Sequence, residues 1–159
     1  MLPVVVTVGI AIAARSDDSR PAAAMDGCFS YTVQPPRQVG TGVGFAVEAR
    51  NVTRRPCAGP SCGGVTPSYE VRDLFGRLVY EAGGAGVACV SDAPPPPVIR
   101  PGATAIWSTA VWDLHTSWQG TCRPGACHLT RPRAAAGTYR IVWHREHGMS
   151  VDSPWFAIT

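Results

Sequence analysis

The sequence predicts an all-β domain braced by disulfide bonds, and three observations carry this prediction. From Cys28 onward, apolar and polar residues alternate with a period of two, which is the pattern of half-buried strands. No stretch shows the period of roughly 3.6 residues that marks an amphipathic helix. The six cysteines are an even number spread through strand-like sequence, which is typical of domains that fold in an oxidising compartment.

Length and composition limit the function classes. The chain has 159 residues, of which 45% are hydrophobic and 16% charged. It is therefore expected to fold as one domain rather than to stay disordered or to cross a membrane several times. The net charge is only +3 and the arginines are scattered, so we expect no binding of nucleic acid.

Residues 1–27 are predicted to precede the domain, which is expected to span residues 28–159. Residues 2–14 form an apolar run that is shorter than the roughly 20 residues of a membrane-spanning helix but fits the hydrophobic region of a secretory signal. No basic segment precedes this run, so a signal peptide, the end of a truncated membrane anchor and a buried strand over residues 4–8 all stay open. The first two alternatives predict a secreted or extracytoplasmic protein that meets a membrane only through this segment.

The first two strands are predicted by strict alternation. Apolar side chains occupy every second position in residues 29–33 and again in residues 43–49, so each segment has one face that suits a core. A segment rich in proline and glycine separates them and supplies the reversal. The two segments are therefore predicted to be antiparallel strands.

The next two strands are predicted to form a hairpin. Apolar and charged residues alternate over residues 69–72, the chain turns at residues 74–77, and residues 78–81 return. Gly76 supplies the positive φ that a tight turn requires. The four consecutive prolines at 94–97 cannot donate ladder hydrogen bonds, so they predict a surface connection.

The rest of the chain predicts three further strands, over residues 103–114, 137–144 and 155–158. Trp107, Trp143 and Trp155 lie within them and are expected in the core, whereas Trp112 suits either the core or the surface. About seven or eight short strands separated by turn signals predict an immunoglobulin-like Greek-key β-sandwich of antiparallel strands, with a barrel as the alternative.

Four short motifs follow one another along the chain. They are Asn51-Val52-Thr53-Arg54-Arg55-Pro56-Cys57, Tyr69-Glu70-Val71-Arg72-Asp73-Leu74-Phe75-Gly76-Arg77, Ile99-Arg100-Pro101-Gly102 and Ala136-Gly137-Thr138-Tyr139. Their order resembles that of the BsuPI-type proteinase-inhibitor domain, an immunoglobulin-like sandwich, and that of immunoglobulin-like domains of unknown function in exported actinobacterial proteins. The resemblance covers roughly residues 28–158 and implies the same fold. The six cysteines depart from a cytoplasmic inhibitor, and no reactive-site motif carries over.

The cysteines are expected to form disulfides that brace the fold. A local bridge between Cys122 and Cys127 is predicted, because the enclosed Pro124-Gly125 favours a tight turn. The Cys-x4-Cys spacing there and at residues 57–62 also resembles a paired zinc site. Zinc is the lesser alternative, because zinc ribbons usually place two residues between their ligands and an exported chain meets an oxidising medium.

Two solutions stay open for the other four cysteines. A hairpin register that pairs Val71 with Tyr80 places Glu70 opposite Glu81, an unfavourable pair of like charges, but its continuation brings cysteines together. The sequence favours this solution. It joins Cys62 to Cys89 and Cys28 to Cys57, whereas the alternative joins Cys57 to Cys62 and Cys28 to Cys89.

No catalytic, metal-binding or cofactor-binding site is predicted. The segment at residues 143–148 contains His144 and His147, but a strand that runs into a loop does not present two histidines on one face as a helix does. Neither a Gly-x-Ser-x-Gly motif nor a Cys-x-x-Cys motif occurs. The protein is therefore expected not to be an enzyme.

Residues 115–128 and 144–152 form the predicted recognition surface. Trp118 lies in a loop and is the tryptophan expected to be most exposed, with packing under a long loop as the alternative. The expected partner is a protein or a cell-envelope carbohydrate. The candidate contact residues are Trp118, Arg123, His144, Arg145 and His147.

These observations predict an exported, non-enzymatic binding or structural module of the bacterial cell envelope or extracellular space. The alternative is a proteinase inhibitor that presents the loop between Cys122 and Cys127, with Arg123 as the primary-specificity residue for a trypsin-like target. Asn51-Val52-Thr53 matches a glycosylation sequon but is interpreted as a turn at the end of a strand.

Overall fold

The computed structural model describes residues 24–59, 68–83, 95–123, 126–145 and 148–159. Within these ranges the chain is all-β and its strands form antiparallel sheets. The strand segments are β1 (Ala24–Asp26), β2 (Phe29–Val33), β3 (Arg37–Val39), β4 (Gly42–Asn51), β5 (Cys57–Ala58), β6 (Ser68–Asp73), β7 (Leu78–Ala82), β8 (Val98–Ile99), β9 (Thr104–Trp112), β10 (Gln119–Arg123), β11 (Ala126–Thr130), β12 (Gly137–Arg145), β13 (Met149–Asp152) and β14 (Phe156–Ile158).

The first sheet has β4 at its centre. β2 pairs with residues 47–51 of β4 and β3 with residues 42–44 along the same edge, whereas β9 pairs with the opposite edge. Pro35 and Pro36 lie between β2 and β3 and cannot donate ladder hydrogen bonds, so this edge is divided in two. Such divisions are one reason why the described segments outnumber the seven or eight strands expected.

The second sheet has the order β7, β6, β12 and β13, and β14 continues the edge beside β12. Between β13 and β14 the buried Ser153 continues the hydrogen bonding to β12. Its N–H donates to the carbonyl of Ile141 at 2.7 Å, and its hydroxyl accepts the N–H of Ile141 at 2.9 Å. The prediction of a loop over residues 144–152 is wrong for β13, because Val151 is its only buried side chain and gives too little alternation to reveal a strand.

Apolar side chains from the two sheets form one core. Tyr31 of the first sheet packs on Trp143 of the second with ring centroids 5.4 Å apart, and Phe45 packs on Tyr69 at 4.9 Å. These ring pairs are tilted or edge-to-face, the arrangements that aromatic quadrupoles favour. Strand alternation thus predicts correctly which faces of β2, β4 and β6 are buried.

Two of the three tryptophans predicted in the core, Trp107 and Trp143, are buried. The prediction is wrong for Trp155, which precedes β14, is only partly buried and lies 5.0 Å beneath the Arg140 guanidinium. Pro154 delays the start of the last strand by one residue relative to the expected start. Phe156 and Ile158 occupy the buried face of β14, so Trp155 points away from the core and its ring packs against the Arg140 guanidinium.

The predicted hairpin register is confirmed. Val71 pairs with Tyr80, and Glu70 faces Glu81 as the register requires. Arg72 offsets the like charges, because its terminal nitrogen lies 2.6 Å from a carboxylate oxygen of Glu70. An unfavourable cross-strand pair is therefore tolerated where a neighbour on the same strand neutralises it.

Two disulfides brace the described residues. One joins Cys28 to Cys57, and the other closes residues 122–127. Both bonds agree with the favoured solution and exclude the alternative in which Cys28 pairs with Cys89, and their sulfurs are not thiolate ligands for zinc. The predicted partnership of Cys62 with Cys89 lies outside the described residues.

Strand pairing begins before Cys28, where the sequence places the start of the domain. β1 pairs antiparallel with β2, and Gly27 turns the chain between them with a φ of 51°. The apolar run over residues 2–14 lies outside the described residues, as does the alternative strand over residues 4–8. In the ranges that the structure describes, no helix has the length and hydropathy needed to cross a bilayer.

Asn51 ends β4 in a turn, as its sequence interpretation expects. Its amide nitrogen donates to the carbonyls of Arg55 at 2.8 Å and Ile99 at 2.9 Å, and its amide oxygen accepts the N–H of Thr53 at 2.9 Å. Asn51 is only 1% exposed. The side chain that matches a sequon therefore serves as a buried connector between three backbone segments.

Candidate functional site: an exposed β-ribbon

The strands β10 and β11 form a separate two-stranded ribbon. Five pairs build its ladder, from Gln119 opposite Thr130 to Arg123 opposite Ala126. All ten residues of the ribbon are exposed. The sequence predicts a loop here, because alternation marks only strands with one buried face and this ribbon has none.

The disulfide holds the tip of the ribbon. Cys122 and Cys127 lie directly opposite each other, with their Cα atoms 4.1 Å apart. An isolated two-stranded hairpin is marginally stable in water, and a bridge across so short a segment supplies about 2 kcal/mol in the chain-entropy estimate. The staple therefore keeps an otherwise unsupported ribbon in one register.

The ribbon has two unlike faces. The Gly120–Leu129 pair lies two residues from the Cys122–Cys127 pair along each strand, which places Leu129 on the same face as the disulfide, and Trp118 immediately precedes β10 at the base of the ribbon. The other face is polar and carries Gln119, Thr121, Arg123, His128 and Thr130. Trp118 is 64% exposed and Leu129 is also exposed, so the apolar face is open to solvent.

Gly120 lets the two strands approach closely in the middle of this face. A Cβ atom at Gly120 would lie 1.9 Å from the carbonyl oxygen of His128, and the φ of Gly120 is 147°. Only glycine fits this position without displacing β11. The apolar face therefore has a flat centre between Trp118 and the disulfide.

Arg131 fixes the base of the ribbon. Its guanidinium lies between two rings, 5.5 Å from the centroid of Tyr80 and 5.6 Å from that of Trp118. Both of its terminal nitrogens lie 3.1 Å from the carboxylate of Asp113, and its Nε donates to the carbonyl of Thr116 at 3.3 Å. One side of the Trp118 ring is thus supported, and the indole is held in a defined position.

The segment before the ribbon attaches to the edge of the second sheet. The N–H of Ser117 donates to the carbonyl of Val79 at 3.0 Å, and the hydroxyl of Ser117 accepts the N–H of Glu81 at 3.1 Å. Nearby, Tyr69 donates its hydroxyl to the carbonyl of Val111 at 3.3 Å, and burial raises its pKa well above the usual range. The ribbon therefore projects from a packed base.

The predicted recognition residues divide between two places. Trp118 and Arg123 lie at the base and the tip of the ribbon, and Trp118 is the exposed tryptophan, as predicted. His144 and Arg145 belong to β12 instead. His147 lies outside the described residues.

His144 and Arg145 on β12 contact residues of the two sheets. The Nε2 atom of His144 lies 3.3 Å from a carboxylate oxygen of Glu70. The Arg145 guanidinium stacks on Tyr31 at 4.9 Å and on Trp107 at 5.1 Å. Among the described residues, no group of three or more histidine, cysteine or acidic side chains is arranged to hold a metal ion.

Sequence reasoning overlooks three residues of the site: Leu129, Arg131 and Tyr80. A signal for the first two exists. Once Cys122 is placed opposite Cys127, the same register pairs Leu129 with Gly120 and brings Arg131 opposite Trp118. Tyr80 comes from another sheet, so no local pattern connects it to the ribbon.

No protein-family model matches the chain, and no curated protein or solved structure is significantly similar to it.

Proposed function

We propose that the protein is an exported, non-enzymatic binding module that contacts a partner protein through the apolar face of its β-ribbon. The observation that carries this proposal is that a ribbon exposed at all ten positions is nevertheless held by a disulfide at its tip and by Arg131 at its base. The ribbon buries none of its residues, so this support holds the ribbon itself in place and does not strengthen the core. Support of this kind lowers the ordering cost of binding.

An immunoglobulin-like Greek-key sandwich is the fold that we infer for this module. Along the chain, β4 belongs to the first sheet, β6 and β7 to the second, β9 to the first and β12 to the second, which is the alternation of such sandwiches. Tyr139 at the start of β12 donates its hydroxyl to the carbonyl of Ala135 at 2.6 Å. This contact matches the tyrosine corner of immunoglobulin-like domains.

The chemistry of the apolar face favours a protein partner over a carbohydrate. Trp118 and Leu129 lie beside a glycine and a disulfide, and the polar side chains of the ladder lie on the opposite face, whereas Arg131 packs against the Trp118 ring at the base. Carbohydrates require hydrogen-bonding groups beside the aromatic platform, whereas the centres of protein interfaces are apolar and rich in tryptophan. The supported indole of Trp118 is the anchor that we assign to the interface.

Export is supported by the two disulfides, which are compatible with an oxidising compartment. Intact-mass measurement of the protein recovered from its natural compartment, with an alkylating agent added before and after reduction, tests this part of the proposal. We expect no alkylation of Cys28, Cys57, Cys122 or Cys127 before reduction. Free thiols at these positions would contradict export.

Site-specific photo-crosslinking in the producing cells tests the binding role. A photoreactive aromatic residue replaces Trp118 in one variant and Val98, which is 69% exposed and outside the ribbon, in the control. We expect a discrete protein adduct from position 118 that is absent from position 98 and lost when Cys122 and Cys127 are both changed to serine. Equal adducts at both positions, or none at position 118, would refute the ribbon as a contact surface.

A second candidate is proteinase inhibition, favoured by the exposure of Arg123 next to the disulfide. Arg123 already pairs with Ala126 in the ladder, which makes its backbone less available to a protease that binds extended strands. Titration of a trypsin-like protease with the wild-type protein and with Arg123→Ala separates the candidates. Stoichiometric inhibition that Arg123→Ala abolishes supports inhibition, and its absence excludes it for this class of protease.

A further inference from the structure

The turn between β6 and β7 exposes apolar side chains that the core does not use. Phe75 is 80% exposed, and Leu74 and Leu78 are each about half exposed. The Arg77 guanidinium lies 5.3 Å from the centroid of the Phe75 ring. The reversal of the chain requires only Gly76, whose φ is 78°, and not these apolar side chains.

Asp73 builds the turn by binding its backbone. One carboxylate oxygen accepts the N–H groups of Phe75 and Arg77, both at 2.9 Å, and the Asp73 carbonyl accepts the N–H of Gly76 at 2.9 Å. Arg72 donates to the carbonyl of Gly76 at 2.8 Å. Desolvation acts to raise the pKa of Asp73, but the hydrogen bonds from Arg77 and Phe75 outweigh it and lower that pKa. Phe75 is therefore presented by a rigid and internally bonded turn.

This hydrogen bonding suits the turn to an apolar medium. Entry of a loop into lipid is costly when its backbone N–H groups lose water without gaining a partner. The N–H groups of Phe75, Gly76 and Arg77 all have partners within the turn. The Phe75 side chain can therefore leave water without depriving the N–H groups of Phe75, Gly76 and Arg77 of their hydrogen-bond partners.

A guanidinium that is paired with Asp73 through its Nε lies beside the apolar side chains. Arg77 is 73% exposed and uses its Nε to reach Asp73 at 2.6 Å. Its two terminal nitrogens have no hydrogen-bond partner among the described residues. A guanidinium binds phosphate oxygens in a bidentate manner. An exposed apolar tip with a guanidinium beside it is complementary to a lipid surface, whose acyl layer is apolar and whose headgroup layer carries phosphate.

We propose that the β6–β7 turn docks on an anionic lipid surface, with Phe75 entering the headgroup and acyl boundary and Arg77 binding headgroup phosphate. This site is separate from the ribbon and does not depend on the proposed function. It also differs from the sequence expectation that only residues 2–14 meet a membrane. A single aromatic tip of this kind gives weak, reversible docking.

Vesicle partitioning of the full chain tests the proposal. We expect binding to vesicles of phosphatidylglycerol and phosphatidylcholine to exceed binding to pure phosphatidylcholine, and Phe75→Ser to lower the partition coefficient at least about tenfold. Val98→Ser is the matched control, because it also removes an exposed apolar side chain. Equal partitioning of Phe75→Ser and the wild type would overturn the proposal.

A second measurement reports the tip directly, because an apolar segment elsewhere in the chain can also bind vesicles. Phe75→Trp and the control Ile106→Trp, at a position exposed on the first sheet, are mixed with anionic vesicles that contain brominated phosphatidylcholine. We expect quenching beyond the wild-type signal for Phe75→Trp alone. Absence of that quenching would overturn lipid docking and would indicate that Phe75 serves a protein pocket or no partner.

Discussion

At the scale of single residues, Asn51 forms three hydrogen bonds to the backbone that the alternation of apolar and polar residues does not indicate. It donates to Arg55 and Ile99 and accepts from Thr53 while almost fully buried. We expect Asn51→Ala to lower the free energy of unfolding by about 3 kcal/mol, because buried partners lose their hydrogen bonds. Urea denaturation measures this effect.

The neighbour Val52 provides the control for this prediction. Val52 is exposed, so Val52→Ala is expected to change the free energy of unfolding by less than about 0.5 kcal/mol. An effect of Asn51→Ala as small as this would mean that the turn after β4 is held by other contacts.

The raised pKa values of the Tyr69 and Tyr139 hydroxyls lead us to expect a loss of stability in alkaline solution. Burial raises the pKa of both hydroxyls, with Tyr80 adding to the shift at Tyr69 and Asp73 at Tyr139. An unfolded tyrosine ionises near pH 10. Above about that pH the unfolded state releases protons that the folded state retains, so the free energy of unfolding must fall as pH rises.

Tyr→Phe variants check the sign of this dependence. We expect Tyr69→Phe to lose less stability than the wild type between about pH 9 and pH 11, as measured by urea midpoints at each pH. Phenylalanine keeps the ring and removes the ionising group. Parallel pH profiles for the variant and the wild type would show that Tyr69 does not contribute to the alkaline transition.

At the scale of elements, the two disulfides have different tasks. The bond between Cys28 and Cys57 spans 29 residues and ties the start of β2 to β5, whereas the bond at the ribbon spans 5 residues. The chain-entropy estimate gives about 3.6 kcal/mol for the first and about 2 kcal/mol for the second. Only the first lies where a cooperative unfolding transition depends on it.

Paired serine variants separate these tasks. We expect Cys28→Ser with Cys57→Ser to lower the global free energy of unfolding by about 3–4 kcal/mol. Cys122→Ser with Cys127→Ser should leave the global transition nearly unchanged, while protease cleavage and amide exchange rise in β10 and β11, because the ribbon is exposed throughout. A large global loss from the second pair would show that the ribbon is part of the cooperative core.

Alternation predicted the elements that have one buried face. The hairpin register of Val71 with Tyr80 follows from local pattern alone, and the structure repeats it. The ribbon and β3 escape prediction because all their residues are exposed. Trp155 is misplaced because Phe156 and Ile158 occupy the buried face of the last strand, and adjacent residues of a strand face opposite sides.

The sequence predicts the exposed residues of the candidate site but not the contacts that support them. Residue type and loop position indicate Trp118 and Arg123, which lie at the base and at the tip of the ribbon. The contact of Arg131 with Tyr80 joins the segment after β11 to the second sheet. Long-range contacts of this kind depend on tertiary packing, which no local periodicity records.

At the scale of the whole molecule, stability and recognition depend on different tryptophans. Trp112 of the first sheet is fully buried, with its ring 5.6 Å from Tyr139 and 6.5 Å from Phe156 of the second sheet. Its indole N–H donates to the carbonyl of His115 at 2.8 Å. Trp112 thus connects both sheets to the segment that leads into the ribbon.

Because Trp112 is buried and Trp118 is exposed, we expect substitution of the first to lower stability and substitution of the second to remove binding. Trp112→Phe keeps an aromatic ring but removes the indole N–H, so we expect it to lower the free energy of unfolding by about 2 kcal/mol. Trp118→Ala is expected to leave that free energy within about 0.5 kcal/mol of wild type, since its ring is mostly in water, and to remove partner binding. Denaturation of both variants, with crosslinking from position 129 as the binding readout, compares them.

The stability expected for Trp118→Ala depends on the contacts that Arg131 makes without the indole. Arg131 stacks on Tyr80 as well as on Trp118, and its bonds to Asp113 do not need the indole. Loss of Trp118 therefore leaves the base in place. If Trp118→Ala destabilised the protein as much as Trp112→Phe, the exposed indole would be a structural residue, and the assignment of the ribbon as a contact surface would lose its main support.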